Sequence, residues 1–348
     1  MTTEHDAALV IGIAHYPRLN ELQGPAEDAK RVAEWLRTQG GLPDANVKLV
    51  ISKKETEGQP ILADIDEAFK QIFASVTSWK TARRLYVYFA GHGCSREIKH
   101  LALLMANANL AYLNRAMNAT QYREALAQRL FPEQVYMFDC CRNYDRGSTG
   151  RGPEWTFDES IPPLQDSIQV VLYAAGFTEY ASERNLLYNH RRGLFTEALI
   201  EGLTGAAATG GLRGGGMVTT SRLIPYIRDR LDALTRAEHV RQQMWHDVLV
   251  RGARDSLVLA TGVVPWRQLV RVGVPPGTTN VLVLDSYNRL VEDRDVSPNQ
   301  TSVDFDLELT TYTLVAEPSG ASAPPIRLLP NGPTELKLGG LSHATAVG

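Results

Sequence analysis

Residues 84–93, RLYVYFAGHG, decide the fold. Apolar and aromatic side chains follow one another without polar alternation until Gly91-His92-Gly93 breaks the run. Such a run predicts a strand buried on both faces of a sheet, ending in a sharp turn. The pattern recurs in AALVIGIA (7–14), VKLVIS (47–52), QVYMFDCC (134–141) and IQVVLYAAG (168–176). Helix-like segments lie between and after these runs. PAEDAKRVAEWLRTQG (25–40) has Pro25 at its start, apolar Ala29, Val32, Ala33 and Leu36 at helical spacing, and Gly40 as a stop. Residues 59–76, 120–130, 193–203 and 220–234 read the same way. Strand and helix in alternation predict an α/β fold, a mostly parallel sheet flanked by helices.

After about residue 262 the texture changes. LVRVGVP, TNVLVLDSY, SVDFDLEL, TYTLVAEP and TELKLGG are short, partly alternating strands separated by Pro, Gly and Asn turns. They predict a small all-β, sandwich-like domain over 263–348 behind an α/β domain over 1–262. GAAATGGLRGGG (205–216) is loop by composition, and no Lys-Ser/Thr follows its glycines as a phosphate-binding loop requires.

With 348 residues, 44% hydrophobic and 22% charged, the chain has the composition of a globular protein with ample core. A net charge of -3 argues against a nucleic-acid partner. No stretch is long and apolar enough to span a bilayer, so no membrane association is expected and a cytoplasmic location is. There Cys94, Cys140 and Cys141 should be reduced.

In a parallel sheet, ligands meet the carboxyl ends of the strands. His92 stands just beyond one strand and Cys141 just beyond another. A cysteine nucleophile needs a base within hydrogen-bond reach, and these two ends offer one. Gly93 permits close backbone approach, so its N–H and that of Cys141 form a candidate oxyanion hole. Plain alternatives stand beside this one. Free cysteines usually pack as small hydrophobes, the natural reading of Cys140. A zinc site from Cys94, Cys140, Cys141 and a histidine lacks the usual ligand spacing, and no metal is expected.

YVYFAGHG, followed by FDCCRN with its cysteine 49 residues after His92, resembles the caspase-like cysteine peptidases, which include caspases, metacaspases and bacterial relatives. GPAEDAKRVAEWL, VVLYAAG and GLFTEALIEGL resemble the same family, so the likeness covers roughly residues 7 to 260. It implies a cysteine endopeptidase with a Cys141–His92 dyad, needing no third orienting residue and no cofactor. Some metacaspases require calcium, but no organised calcium loop is visible here. The alternatives are a catalytically silent scaffold or sensor and another hydrolase or acyltransferase using the same pair.

The resemblance also sorts substrates. Caspases grip an aspartate before the scissile bond with basic residues, whereas metacaspases receive Arg or Lys among acidic ones. Here Asp139 precedes the nucleophile by two, Asp28 matches a metacaspase pocket aspartate, and Glu183 aligns with a substrate-gripping arginine of caspases. Ala174, in the VVLYAAG strand, joins the substrate-binding set. Three acidic positions imply a basic preference, because like charges 4 Å apart cost roughly 4 kcal/mol at intermediate dielectric. Asp28 also suits a helix's first turn on its own account, and Glu183 suits a surface loop. Ala90 stands where many metacaspases carry Ser.

Family members are often controlled by loop cleavage or by partners. Arg146, Arg151, Arg191, Arg192 and Arg213 occupy loop-like segments and are candidates for self-cleavage. The expected partners are a protein or peptide substrate and an activating or effector protein, by family analogy in a defence or cell-death pathway.

Overall fold

The computed structural model describes residues 3–75, 82–145, 149–157, 164–177, 181, 183–186, 190–210, 215–252 and 256–339. Side chains at 128, 129, 183–186, 190, 191 and 251 fall outside that description. The chain divides into two compact units. One comprises Met1–Gly202 with Thr219–Ala260; the other comprises Leu203–Val218 with Thr261–Gly348.

A six-stranded sheet organises the first unit. Its strands are β1 (Asp6–Gly12), β2 (Val47–Ile51), β3 (Arg84–Ala90), β4 (Glu133–Asp139), β5 (Ser167–Tyr173) and β6 (Trp245–Arg251), in the order β6–β5–β4–β3–β1–β2. Five run parallel, and β6 closes one edge antiparallel to β5. Every residue of β1, β3, β4 and β5 is buried, which explains hydrophobic runs without alternation. The helices are α1 (Pro25–Thr38), α2 (Leu62–Ser75), α3 (Ala119–Arg129), α4 (Leu194–Glu201) and α5 (Thr220–Ala237). In α1 the buried stripe is Ala29, Val32, Ala33 and Leu36, and in α2 it is Ile65, Ala68, Phe69, Ile72 and Phe73. At the carboxyl end of the sheet a short four-stranded sheet forms from residues 116–118, 102–104, 93–95 and 143–144, in that order.

Charge closes the amino end of the sheet. Arg84 is 2% exposed and donates to Glu133 Oε2 at 2.7 and 3.0 Å and to the Tyr86 hydroxyl at 2.8 Å. Asp6 accepts from Arg83 Nε at 2.7 Å, yet burial outweighs that partner and pushes its carboxyl from 3.8 up to about 6. A group more easily protonated in the folded chain stabilises it fully below about pH 4, and that contribution is lost as pH rises through about 6. Relative to Asp6→Asn, the wild type should therefore lose about 2–3 kcal/mol between pH 4 and 7. Urea unfolding of both proteins across that range checks it; a difference moving the other way would show that the Arg83 pair dominates.

In the second unit, β7 (Arg267–Gly273) lies between β10 (Ser302–Glu308) and residues 335–337. A second sheet contains β8 (Asn280–Asp285), β9 (Leu290–Asp295) and β11 (Thr311–Glu317) with short flanking strands. Val270 and Val272, Val281 and Val283, Val303, Phe305 and Leu307, and Tyr312, Leu314 and Ala316 are buried at alternate positions. That is the period of strands with one face inward. Among the described residues no helix is long and apolar enough to cross a membrane.

Candidate active site

Register brings the two motif residues together. β3 pairs with β4 from Arg84↔Glu133 to Ala90↔Asp139, an offset of 49, and beyond the turn Cys94↔Asn143 and Ser95↔Tyr144 keep the same offset. His92 and Cys141 are also 49 apart (141 − 92), so they leave adjacent parallel strands at the same level. Strands in a sheet lie about 4.8 Å apart. Gly93 follows against the backbone of Cys141: a Cβ there would sit 2.7 Å from the Cys141 carbonyl oxygen and 2.6 Å from Cys140 Sγ.

The two cysteines divide as their surroundings dictate. Cys140 is 2% exposed within the hydrophobic core, and burial pushes its thiol well above the ordinary range, which makes it inert. Cys141 is partly exposed, and the Ala181 N–H donates to its Sγ at 3.3 Å. Cys94 packs in the same core as Cys140, and among the described residues no group of three or more His, Cys, Asp or Glu is arranged to hold a metal ion.

His92 is held from the loop that follows β1. Its Nε2 lies 2.7 Å from the carbonyl oxygen of Asn20. A carbonyl only accepts, so Nε2 carries the hydrogen and Nδ1 is the basic nitrogen of the neutral ring. The Tyr16 ring stands 4.6 Å from the imidazole, centroid to centroid, at 54°. Sequence reasoning anticipated a pair without a third orienting group and missed both Asn20 and Tyr16. A backbone carbonyl has no signature in sequence, and Tyr16 lies 76 residues from the histidine it touches.

The acidic residues meet around Gly193. Asp28, in the first turn of α1, is 1% exposed; its Oδ2 accepts the Gly193 N–H at 2.8 Å, and Arg31 Nη1 lies 3.7 Å from Oδ1. Asp139 ends β4, and its Oδ2 accepts the hydroxyl of Thr196 at 2.6 Å and the Thr196 N–H at 3.3 Å. A Cβ on Gly193 would lie 2.2 Å from Asp139 Oδ2 and 3.3 Å from Asp28 Oδ2, so only glycine fits between the two carboxylates. Their joint field is felt by Tyr88, whose phenol is pushed well above its usual range by burial and then by Asp139 and Asp28. Asp28 is thus more than a solvated charge in a helix's first turn.

The remaining candidates are placed unevenly. Ala174 is fully buried; its N–H donates to the Phe138 carbonyl and its own carbonyl accepts from Gln242. Glu183 opens a short strand, 183–186, paired with 190–193, but its side chain lies outside the described residues, as does that of Arg191. Arg146 and Arg213 also lie outside them. Arg192 is partly exposed and opposite Arg184 in that hairpin. Arg151 is bound on both sides of its peptide, donating to Ala116 O at 2.8 Å and accepting from Asn118 N–H at 2.9 Å, a poor conformation for entering a protease cleft.

The caspase domain of the Peptidase C14 family matches residues 5–240, and the chain belongs to that family. It carries the fold of a caspase-type cysteine peptidase. No curated protein matches. Among solved structures, caspase-1 from Spodoptera frugiperda is 16% identical, with 74% of this chain and 91% of that chain covered and a TM-score of 0.48. The Drosophila initiator caspase Dronc is 10% identical over 75% of this chain and 85% of that one, with a TM-score of 0.45. A structure of pro-sf-caspase-1 is 13% identical over 72% and 93%, with a TM-score of 0.40.

Proposed function

We propose that the protein is a cysteine endopeptidase that cleaves after Arg or Lys, with Cys141 as nucleophile and His92 as its acid/base partner. The observation that carries this reading is the level pairing of His92 with Cys141 at adjacent strand ends. With Nε2 directed at the Asn20 carbonyl, Nδ1 is the nitrogen that exchanges a proton with Sγ. The thiolate attacks the scissile carbonyl, and the backbone N–H groups of Gly93 and Cys141 receive the oxyanion. His92 then protonates the departing amine, leaving a thioester that water hydrolyses. No cofactor enters these steps.

Asp28 and Asp139, with Glu183, supply the negative field for a basic side chain, and Ala174 forms part of the wall. Ala90 leaves this pocket one hydroxyl short of the common metacaspase pattern. The enzyme acts in the cytoplasm on protein substrates, clipping an effector in a defence or cell-death response. The peptidase domain spans 1–262, and the β domain, 263–348, recognises an activating or substrate protein. The paired backbones of Arg151, Arg191 and Arg192 make these three poor points for any self-cleavage.

The test is a matched set of fluorogenic peptides differing only in Arg, Lys or Asp before the scissile bond, with Cys141→Ala as blank. Cleavage after Arg and Lys should exceed cleavage after Asp by about a hundredfold or more in kcat/KM. Preferential cleavage after Asp would keep the nucleophile and reject the acidic pocket.

A further inference from the structure

We propose that Tyr16 is a positioning residue for His92, its hydroxyl serving as one rung of the backbone ladder that holds the catalytic histidine. This deepens the endopeptidase reading and rests on it. The short strands at the carboxyl end of the sheet pair antiparallel with Gly93↔Leu103 and Cys94↔Ala102, which sets His92 opposite Leu104. The Leu104 N–H donates to the His92 carbonyl at 2.9 Å. In an antiparallel pair of this kind the two residues exchange both bonds, so the His92 N–H should return to the Leu104 carbonyl. Instead it donates to Tyr16 Oη at 2.9 Å, and that hydroxyl donates onward to Leu104 O at 3.2 Å. A side chain thus occupies the place of a direct rung.

The surroundings are built for that hydroxyl. Tyr16 is 1% exposed, and burial pushes its phenol far above its ordinary range, so the group stays neutral and keeps the proton it donates. Gly91 makes room: a Cβ there would lie 2.6 Å from Oη. The same loop that carries Tyr16 also carries Asn20 and is fastened to the sheet by Ile13 N–H to Ala90 O at 2.9 Å and folded on itself by Leu22 N–H to Ala14 O at 2.9 Å. One loop therefore fixes His92 at three points: backbone through Oη, ring through the aromatic contact, and Nε2 through the Asn20 carbonyl. Loss of the hydroxyl leaves the His92 N–H and the Leu104 carbonyl to close on each other. That movement draws the imidazole away from Asn20 and from the level of Cys141.

Tyr16→Phe keeps the ring and deletes only the rung. On an Arg-containing peptide, with rates normalised to titrated active sites, kcat should fall about tenfold while KM stays within about twofold. The pH profile of Cys141 alkylation by iodoacetamide should move to higher pH, a change that loss of stability alone does not produce. A lowered Tm with unchanged kcat and alkylation profile would overturn the proposal. So would a wild type whose NMR spectrum shows no slowly exchanging Tyr16 hydroxyl proton with a cross-peak to the His92 amide; that measurement stands if the variant does not fold. His92→Ala in the same assay separates the layers. Activity retained there rejects the dyad itself, whereas activity lost there and kept in Tyr16→Phe rejects only the positioning role.

Discussion

His92→Ala should lower kcat on a peptide amide by about a thousandfold, with KM little changed. The size follows from the leaving group. An amine departs only when protonated, and the proton source proposed above is the imidazole whose Nε2 lies 2.7 Å from the Asn20 carbonyl oxygen. An activated ester leaves without that proton, so the same variant should lose far less on a nitrophenyl ester, about tenfold. Cys141→Ala should abolish both reactions. The contrast between substrates makes the prediction specific, since a merely misfolded variant loses amide and ester together. Equal losses on both would remove His92 from the acid role and leave it the proton exchange with Sγ or a structural part in the turn.

The pairing of these two residues was legible because parallel strands preserve spacing. The distance from Ala90 to His92 equals that from Asp139 to Cys141, and strand register carries the equality into space. Hydrophobic runs marked β1, β3, β4 and β5 because those strands are buried on both faces. β6 went unread for the opposite reason. Trp245, Val248, Leu249 and Val250 are 48, 42, 51 and 41% exposed on an edge strand, so neither continuous apolarity nor clean alternation marks it. β9, with the sequence LVEDRD, is likewise exposed and held by its neighbour β8 rather than by propensity. Around these positions the sequence pointed to distinctive side chains, but not to the Asn20 carbonyl or the Gly193 N–H that the structure sets beside His92 and Asp28. Asp28 and Asp139 were visible as charges, but the Gly193 N–H that bonds Asp28 depends on a meeting across 165 residues.

Asp139→Asn should reduce kcat/KM for an Arg peptide by about a hundredfold while leaving folding nearly intact. The asparagine amide oxygen still accepts from Thr196, whose hydroxyl and N–H now bond Asp139 Oδ2 at 2.6 and 3.3 Å, so the tie to α4 survives the loss of charge. What disappears is one negative charge, worth at most about 4 kcal/mol to a guanidinium at 4 Å and intermediate dielectric. Asp28→Asn is the informative companion. Arg31 already stands 3.7 Å from Asp28 Oδ1, partly cancelling its field, so its removal should cost an Arg substrate less than removal of Asp139. It should cost stability as well, because the neutral side chain leaves Arg31 without its close carboxylate and weakens the Gly193 contact. Combining both substitutions should level cleavage after Arg and after an uncharged residue of similar size such as Gln. Arg selectivity persisting in the double variant, with Tm showing it folded, would mean that the pocket's charge lies elsewhere, with Glu183 the first residue to replace.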